Sequence, residues 1–445
     1  MYCDYGSFTQ SCCMQPVNML GYVGSFRSLS CHHSSDLINH ILIIPLLRNQ
    51  IPLDSRLPFY ARWDRKAALL LAALAMISPR RFCSCFEIEK CWSKAGVGTS
   101  FVLRTKPGES EGSSKRPTRV VFDIGSTPAI DIAFESDIVV ISHGHVDHVG
   151  GIFSHARAHS VLFGGSTPTY YVPSSLVERL EDARKATAAL DAMSDGRGKR
   201  SEPLLRMNIV GVNTGDEIEL KQKKSHRGKK LFLRAFSVDH RGHPALGYSI
   251  ASRTASGLKP EYNDMTGKQI SELVKKGVQV KEEPIERLEV AYTGDTCAAG
   301  IMRSEPSFKA EDEMQRKGHD YLNQAFTAAL LLCEATFLDL ENTALARDRG
   351  HMNIGDVSSV LKSHRWDESR QKLVLYHLSG RYAPASKALD CILDGLSNDL
   401  ADCCFVAISS LLSENERLKK HDLMDLVKPN GCISLKEYMK LRNDL

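Results

Sequence analysis

The chain has 445 residues, of which 42% are hydrophobic and 25% are charged. These values are typical of a soluble globular protein, and the length allows one large domain with extensions or two ordinary domains. Lysine and arginine total 57 against 53 acidic residues, so the net charge of +4 gives no global field that would attract nucleic acid. Any affinity for a polyanion must therefore come from a local basic cluster.

Residues 1–85 are predicted to form an N-terminal extension, with eight basic residues and four aspartates. Its apolar stretch at residues 67–77 is too short to span a bilayer, but its basic flanks are typical of a targeting signal. Two interpretations stay open, namely a presequence that is removed and a translation start upstream of the true one. The location therefore stays open: the protein belongs either in an organelle (a mitochondrion or a plastid) or in the cytoplasm or nucleus. No membrane association is expected.

Thirteen cysteines are present, and seven of them precede position 92. Their odd number and irregular spacing do not suggest a disulfide framework, which favours a reducing compartment. Cys83, Cys85 and Cys91 would need a fourth ligand to hold zinc. We interpret them as free thiols in a poorly ordered segment.

From residue 86 onward, short apolar runs such as "TRVVFDIG", "DIVVIS" and "KLVLYHLS" alternate with helix-like pieces such as "SSLVERLEDARKATAALDAM". This recurrence predicts an α+β fold with mixed sheets flanked by helices. Residues 86–412 are assigned to this main domain and residues 413–445 to a helical C-terminal tail. The basic segment "KQKKSHRGKK", residues 221–230, is predicted to cap a hairpin, either as a solvated turn or as a contact for RNA phosphates.

The segment "HGHVDH", residues 143–148, follows a run of β-branched residues and is unusually rich in metal ligands. His143 and His145 are two positions apart and point the same way in an extended loop, whereas Asp147 and His148 point elsewhere. One loop can therefore serve two neighbouring metal ions. Imidazole and carboxylate ligands suit zinc, with manganese or iron as alternatives.

Further candidate ligands follow other apolar runs in chain order. They are His240 with His243 as a competitor, Asp295 as a carboxylate able to bridge two cations, and His377. His155 and His159 also have ligand spacing, but nothing nearby completes a site, so we expect both to be exposed to solvent.

In combination, these residues resemble the metallo-β-lactamase superfamily and, within it, the short form of tRNase Z. The narrower resemblance rests on "AGVGTSFVL", "VFDIG", "AYTGDT", "LLCEATFLD" followed by "ARDRGHMN", and "HLSGRY". It covers residues 86–412. Cys333 stands where many family members have a histidine.

This resemblance implies a four-layer αββα sandwich of the metallo-β-lactamase type as the catalytic domain. It implies that Glu334 and His351 form a proton relay, with Asp147 as a further catalytic residue. It also implies precursor tRNA as the substrate, removal of the 3′ trailer as the reaction, and a homodimer. Two zinc ions would be held by His143, His145, Asp147, His148, His240, Asp295 and His377.

Two alternatives stay open, because a fold with a metal site hosts many chemistries. One is a hydrolase of this fold that acts on another small ester or phosphodiester. The other is a non-catalytic RNA-binding relative, although no predicted ligand or relay acid is missing from the sequence.

Overall fold

The computed structural model of the chain describes residues 84–106, 117–125, 133–193, 205–221, 229–254, 256–302, 312–413, 417–418 and 421–443. All of them belong to one compact unit, Pro79–Leu445. The predicted N-terminal extension, with Cys83, therefore lies outside the described residues except for positions 84 and 85. Cys91 is buried within a strand, so the prediction that it lies in a poorly ordered segment is wrong.

The first sheet has six strands that neighbour one another in chain order. The first three run antiparallel, and the last four, from the third onward, run parallel. The strands are β1 (Phe86–Lys94), β2 (Gly98–Thr105), β3 (Arg119–Ile124), β4 (Ile138–Val140), β5 (Thr169–Pro173) and β6 (Asn208–Val212).

The second sheet has eight strands, in the order β7-β8-β9-β10-β11-β12-β13-β16, of which β10 to β13 are parallel. They are β7 (Glu217–Leu220), β8 (Lys229–Ser237), β9 (Leu246–Thr254), β10 (Ile285–Tyr292), β11 (Leu330–Glu334), β12 (Lys372–Tyr376), β13 (Cys404–Ala407) and β16 (Cys432–Ser434). Strands β14 (Arg417–Leu418) and β15 (His421–Asp422) form a separate hairpin. The antiparallel pairing of β7 with β8 confirms the hairpin predicted at the basic segment, of which residues 222–228 lie outside the described ranges.

Ten α-helices occur in the described part of the chain, and none of them is long and apolar enough to cross a membrane. They are α1 (Val146–Val149), α2 (Ile152–Leu162), α3 (Val177–Met193), α4 (Gly267–Lys275), α5 (Glu313–Ala325), α6 (Thr343–Asp348), α7 (Ile354–Ser363), α8 (Ala385–Gly395), α9 (Asn398–Cys403) and α10 (Leu435–Asn443).

The apolar side chains of the strands alternate between two faces, as the period of a strand requires. In β3, Phe122 faces the cluster between the two sheets, whereas Val121 packs with α2 and α3. In β11, Leu332 faces the same inter-sheet cluster, whereas Leu331 packs with α5, α7 and α8. Three apolar interfaces thus separate four layers, which confirms the predicted αββα sandwich.

The described tail residues are part of this sandwich. Strand β16 pairs with β13 at the edge of the second sheet, and α10 buries Leu435 and Tyr438 against the helical layer. The division at residue 412 stays a prediction, but the tail contributes a strand that the sequence pattern did not indicate. Strand β16 has only three residues and follows a glycine, so it is too short to show the alternation that identifies a strand in sequence.

The prediction that His155 and His159 are exposed is wrong, because both are buried where α2 faces the first sheet. The Nε2 of His155 lies 3.0 Å from the carbonyl oxygen of Ala133, and its Nδ1 lies 2.6 Å from the hydroxyl oxygen of Tyr170. Since a carbonyl only accepts, Nε2 donates and Nδ1 accepts from the tyrosine. The spacing of four residues reflects one helix face.

This burial predicts a pH-dependent stability. Burial lowers the pKa of His155 to about 4, whereas an unfolded histidine titrates near 6.5. As the pH falls below about 6.5, the unfolded chain takes up a proton that the folded chain excludes, so the free energy of unfolding falls. Between pH 7.5 and 5.5 we expect the wild type to lose about 1 kcal/mol more than a His155→Asn variant, measured by urea denaturation. The control is the His319→Asn variant in α5. The prediction would be contradicted if the wild type and His155→Asn lost the same free energy of unfolding between these two pH values.

Candidate metal centre and active site

The predicted site residues meet where parallel strands of both sheets end. His143 follows β4, Asp295 follows β10, Glu334 ends β11 and His377 follows β12. In sheets with parallel strands, ligands bind beyond the carboxyl ends of those strands, because several loops converge there. The site is therefore built on strand ends from the two sheets.

Three ring nitrogens form the first group of the site. The Nδ1 of His145 lies 3.0 Å from the Nε2 of His143 and 3.2 Å from the Nε2 of His240. The exposed His243 lies outside this group, although its ring centroid is 4.7 Å from that of His145. Of the two competing histidines, the structure thus places His240 in the group.

The second group contains Asp147, His148 and His377. The Nε2 atoms of His148 and His377 are 3.3 Å apart. The Oδ2 of Asp147 lies 3.4 Å from the Nε2 of His377 and 3.7 Å from the Nε2 of His148. The same loop therefore contributes to both groups, as its spacing predicts.

The carboxylate of Asp295 lies between the two groups. Its Oδ2 is 3.1 Å from the Nε2 of His148, 3.3 Å from that of His377 and 3.8 Å from that of His143. Its Oδ1 is buried and has no hydrogen-bond partner among the described residues. An ionised oxygen without a partner in a buried site is costly unless a cation is bound beside it.

The spacing of these atoms fits a metal ion. Zinc bonds to nitrogen and oxygen of about 2.0–2.1 Å in tetrahedral geometry place neighbouring ligand atoms roughly 3.3 Å apart. Neighbouring ligand atoms in the two groups lie 3.0 to 3.7 Å apart. The first group offers three imidazoles, and the second offers two imidazoles and a carboxylate, which are ligands that zinc, manganese and iron accept. The site residues therefore fit bound metal.

Hydrogen bonds on the far side of three of the rings fix their orientation. Asp123 accepts from the Nδ1 of His148 at 2.7 Å, from the backbone N–H and the hydroxyl of Ser142 at 2.7 Å each, and from the hydroxyl of Tyr292 at 2.5 Å. When the ring of His148 is neutral, as metal binding requires, Nδ1 donates to Asp123 and the lone pair of Nε2 faces the site.

The rings of His240 and His377 are oriented in the same way. The Nδ1 of His240 donates to the carbonyl of Gly350 at 2.8 Å. The Nδ1 of His377 lies 2.9 Å from Oγ1 of Thr336, whose proton is directed to Glu334, so this ring also donates through Nδ1. Their Nε2 lone pairs are thereby aimed inward.

The charges in the site are set by burial and by the neighbouring ions. Burial lowers the pKa of His143 well below its usual value. Burial opposes ionisation of Asp295, but His148 and His377 outweigh this and hold its pKa well below the usual range. Burial likewise opposes ionisation of Asp147, yet the contact with His377 and the charge of His148 lower its pKa to about 2. Both carboxylates are thus negatively charged at neutral pH.

Glu334 and His351 form a pair beside these groups. Oε1 of Glu334 accepts from the backbone N–H of Thr296 at 2.7 Å and lies 3.1 Å from Nδ1 of His351. Oε2 accepts from the hydroxyl of Thr336 at 2.7 Å. Burial lowers the pKa of His351, but the charge of Glu334 outweighs it and raises the pKa to about 9. The pair therefore holds a proton at neutral pH.

Three residues that orient the site received no role from the sequence. Asp123 was quoted only within the motif "VFDIG", although a lone acid in an apolar strand is itself a signal. Thr336 follows Glu334 by two positions, and its hydroxyl contacts both His351 and His377. Gly96, at a φ of 71°, donates its backbone N–H to Oδ2 of Asp147 at 2.8 Å.

With this geometry in place, comparison with known proteins identifies the family. No known family model matches the chain. The protein named tRNase Z TRZ1 of Arabidopsis thaliana is 30% identical over 265 residues, covering 59% of this chain and 79% of that protein. The chain belongs to the tRNase Z family.

A second family member, named tRNase Z TRZ2, chloroplastic, of Arabidopsis thaliana, is 28% identical over 265 residues, covering 59% of this chain and 63% of that protein. The solved structure of unliganded yeast PDE1 covers 66% of this chain and 88% of that one, with 11% identity and a TM-score of 0.37. At this TM-score the similarity supports no conclusion about the fold. The family membership rests on the sequence relatives.

The role of Asp123 can be tested through metal affinity. Asp123→Asn keeps the size of the side chain but removes the charge that accepts from His148, so this ring loses its fixed orientation. We expect the affinity for zinc to fall by about 10- to 100-fold in a competition titration with a chromophoric chelator.

The matched control is Asp137→Asn, which alters a carboxylate 3.2 Å from the Nε2 of His159, away from the site. Its zinc affinity should stay at the wild-type value. Wild-type affinity in a correctly folded Asp123→Asn variant would show that Asp123 does not position His148 for metal.

Proposed function

We propose that this chain is a metal-dependent endoribonuclease that removes the 3′ trailer from precursor tRNA. It hydrolyses the phosphodiester bond that follows the discriminator nucleotide. The observation that carries the proposal is the joint placement of two ligand groups and the Glu334–His351 pair at one strand edge, in a member of the tRNase Z family.

Two metal ions are proposed for the two groups of the site. His143, His145 and His240 would hold the first ion, and Asp147, His148 and His377 the second. The intermediate position of the Asp295 carboxylate supports a bridge between them. Zinc is our first choice, with manganese or iron as alternatives. When bound, such ions would neutralise phosphate charge and lower the pKa of a water molecule in the site.

Asp147 is proposed to orient the attacking water. Its side chain is 15% exposed, more than those of Asp295 and Glu334, and its Oδ2 accepts from the N–H of Gly96. A carboxylate fixed in this way can align the nucleophile with phosphorus and accept its proton.

Glu334 and His351 are proposed to deliver a proton to the leaving 3′-oxygen of the ribose. Glu334 is fully buried and contacts Nδ1 of His351, while the side chain of His351 is 16% exposed. The Nε2 of His351 is therefore the atom available to the substrate. The products would be a 3′-hydroxyl on the tRNA and a 5′-phosphate on the trailer.

The partners proposed for this chain are precursor tRNA and a second copy of itself in a homodimer. Relatives named tRNase Z support the first, and the family resemblance suggests the second. For the basic segment 221–230, a solvated turn and a contact for RNA phosphates both stay open, and its described Lys229 and Lys230 lie 3.6 and 3.0 Å from carboxylate oxygens of Glu289 and Glu219.

The function can be tested with a 3′-extended precursor tRNA and purified full-length protein. We expect cleavage after the discriminator nucleotide, loss of activity in Asp147→Ala, and a fall in kcat of about 100-fold in Glu334→Gln, because the amide no longer supports a protonated His351. Product ends are mapped by sequencing. The matched control is Glu341→Gln, a nearby exposed glutamate, which should keep wild-type activity.

The same assay separates the alternatives. An intact precursor, with metal bound and an aryl phosphodiester turned over, would indicate a hydrolase with another substrate. An intact precursor with no metal in the purified protein would favour a non-catalytic RNA-binding relative.

Removal of metal should lower stability as well as activity. A bound ion stabilises the folded chain by RT ln(1 + [L]/Kd), about 4 kcal/mol when free metal is roughly 1,000-fold above Kd. We therefore expect a chelator to lower the Tm and abolish cleavage, and added zinc to restore both. In the His143→Ala variant the chelator should lower the Tm much less than in the wild type. If the chelator leaves the Tm of the wild type unchanged, a tightly bound ion is excluded.

A further inference from the structure

A pair of buried cysteines joins the edges of the two sheets. Cys91 lies in β1, the outer strand of the first sheet, and Cys432 lies in β16, the outer strand of the second sheet. Both belong to the apolar cluster between the sheets, and their Sγ atoms are 3.3 Å apart. A disulfide bond has an S–S distance of about 2.05 Å, so a shift of roughly 1.2 Å would connect them.

The backbone around the pair is already docked. The N–H of Cys91 donates to the carbonyl of Asn430 at 2.8 Å, and the side-chain amide of Asn430 donates to the carbonyl of Ile88 at 3.3 Å. Gly431 has a φ of 92°, and a Cβ built on it would lie 2.5 Å from the carbonyl oxygen of Cys91. Glycine at this position therefore permits the close approach of the two strands.

One of the two cysteine residues borders a cavity. A cavity of about 950 Å³ is lined by Cys432 together with Phe86, Ile88 and Phe405. Cys91 is fully buried, whereas Cys432 is 2% exposed. A small oxidant that enters this cavity therefore meets Cys432 first.

We propose that Cys91 and Cys432 are a modification site, at which a peroxide oxidises the pair to a disulfide that joins the two sheets. In the first step the sulfur of Cys432 takes the distal oxygen of hydrogen peroxide, which gives a sulfenic acid and water. In the second step the sulfur of Cys91 attacks that sulfur, the S–O bond breaks, and a second water leaves. The two thiols lose two electrons in total, and the peroxide is reduced by the same number.

The bond would close a very long loop, because the two residues are 341 positions apart. Restricting the unfolded chain in this way stabilises the folded state, with a gain that rises with loop length. The oxidised protein is therefore more resistant to unfolding than the reduced protein.

The test exposes the full-length protein to hydrogen peroxide and maps its peptides without reduction by mass spectrometry. The expected result is a linked peptide that contains Cys91 and Cys432 and is two hydrogen atoms lighter than the two thiol peptides. The Tm should rise by about 5 °C on oxidation and return with a reductant. Both effects should be absent in Cys91→Ser and Cys432→Ser.

Cys403 provides the matched control, because it lines the same cavity and its thiol donates to the carbonyl of Leu400. Cys403→Ser should keep the link and the rise in Tm. A link between Cys432 and Cys403 would overturn the proposal, as would oxidation of Cys432 to a sulfinic or sulfonic acid without a link. Peptide mapping of the wild type decides these outcomes even if a serine variant fails to fold.

Discussion

The site depends on the carboxylate of Asp123, which is buried between the sheets at a φ of 53°. A buried charge is tolerated only when donors surround it, and here the donors come from Ser142 after β4, His148 in α1 and Tyr292 in β10. The requirement to satisfy one carboxylate thus draws together strands of both sheets. The same donors fix the loop that carries most of the predicted ligands, so folding and site formation use one network.

Thr336 has the corresponding role on the second sheet. Its single hydroxyl lies within 3.2 Å of Glu334, His351 and His377, so one residue sets the positions of the proposed relay and of a predicted ligand. Rings held by groups on strand ends have less freedom than rings on mobile loops, and the site-facing nitrogens of these rings point inward before any ion binds. Such preorganisation lowers the cost of assembling a metal centre.

The sequence predicted the fold class, the enzyme class and the family correctly, because metal-capable side chains follow apolar runs in a recognisable order. The assignment of ligands and relay stays a prediction, although the structure brings these residues together. Other features could not be predicted for physical reasons. Which face of α2 meets the sheet decides the burial of His155 and His159, and sequence spacing does not report that orientation. Strand β16 is too short to show alternation, and Asp123 has meaning only through partners distant in sequence.

Strand β1 links the cysteine pair to the site within a few residues. Cys91 hydrogen-bonds to the tail through its backbone N–H, Ser93 accepts from the backbone N–H of His377 at 3.0 Å, and Gly96 in the following turn donates to Asp147. Because these hydrogen bonds hold the second half of the strand and the turn that follows it, a bond between Cys91 and Cys432 would require only a local movement of side chains. Oxidation would therefore act mainly on the resistance of the sandwich to unfolding, while the positions of Asp147 and His377 would be preserved.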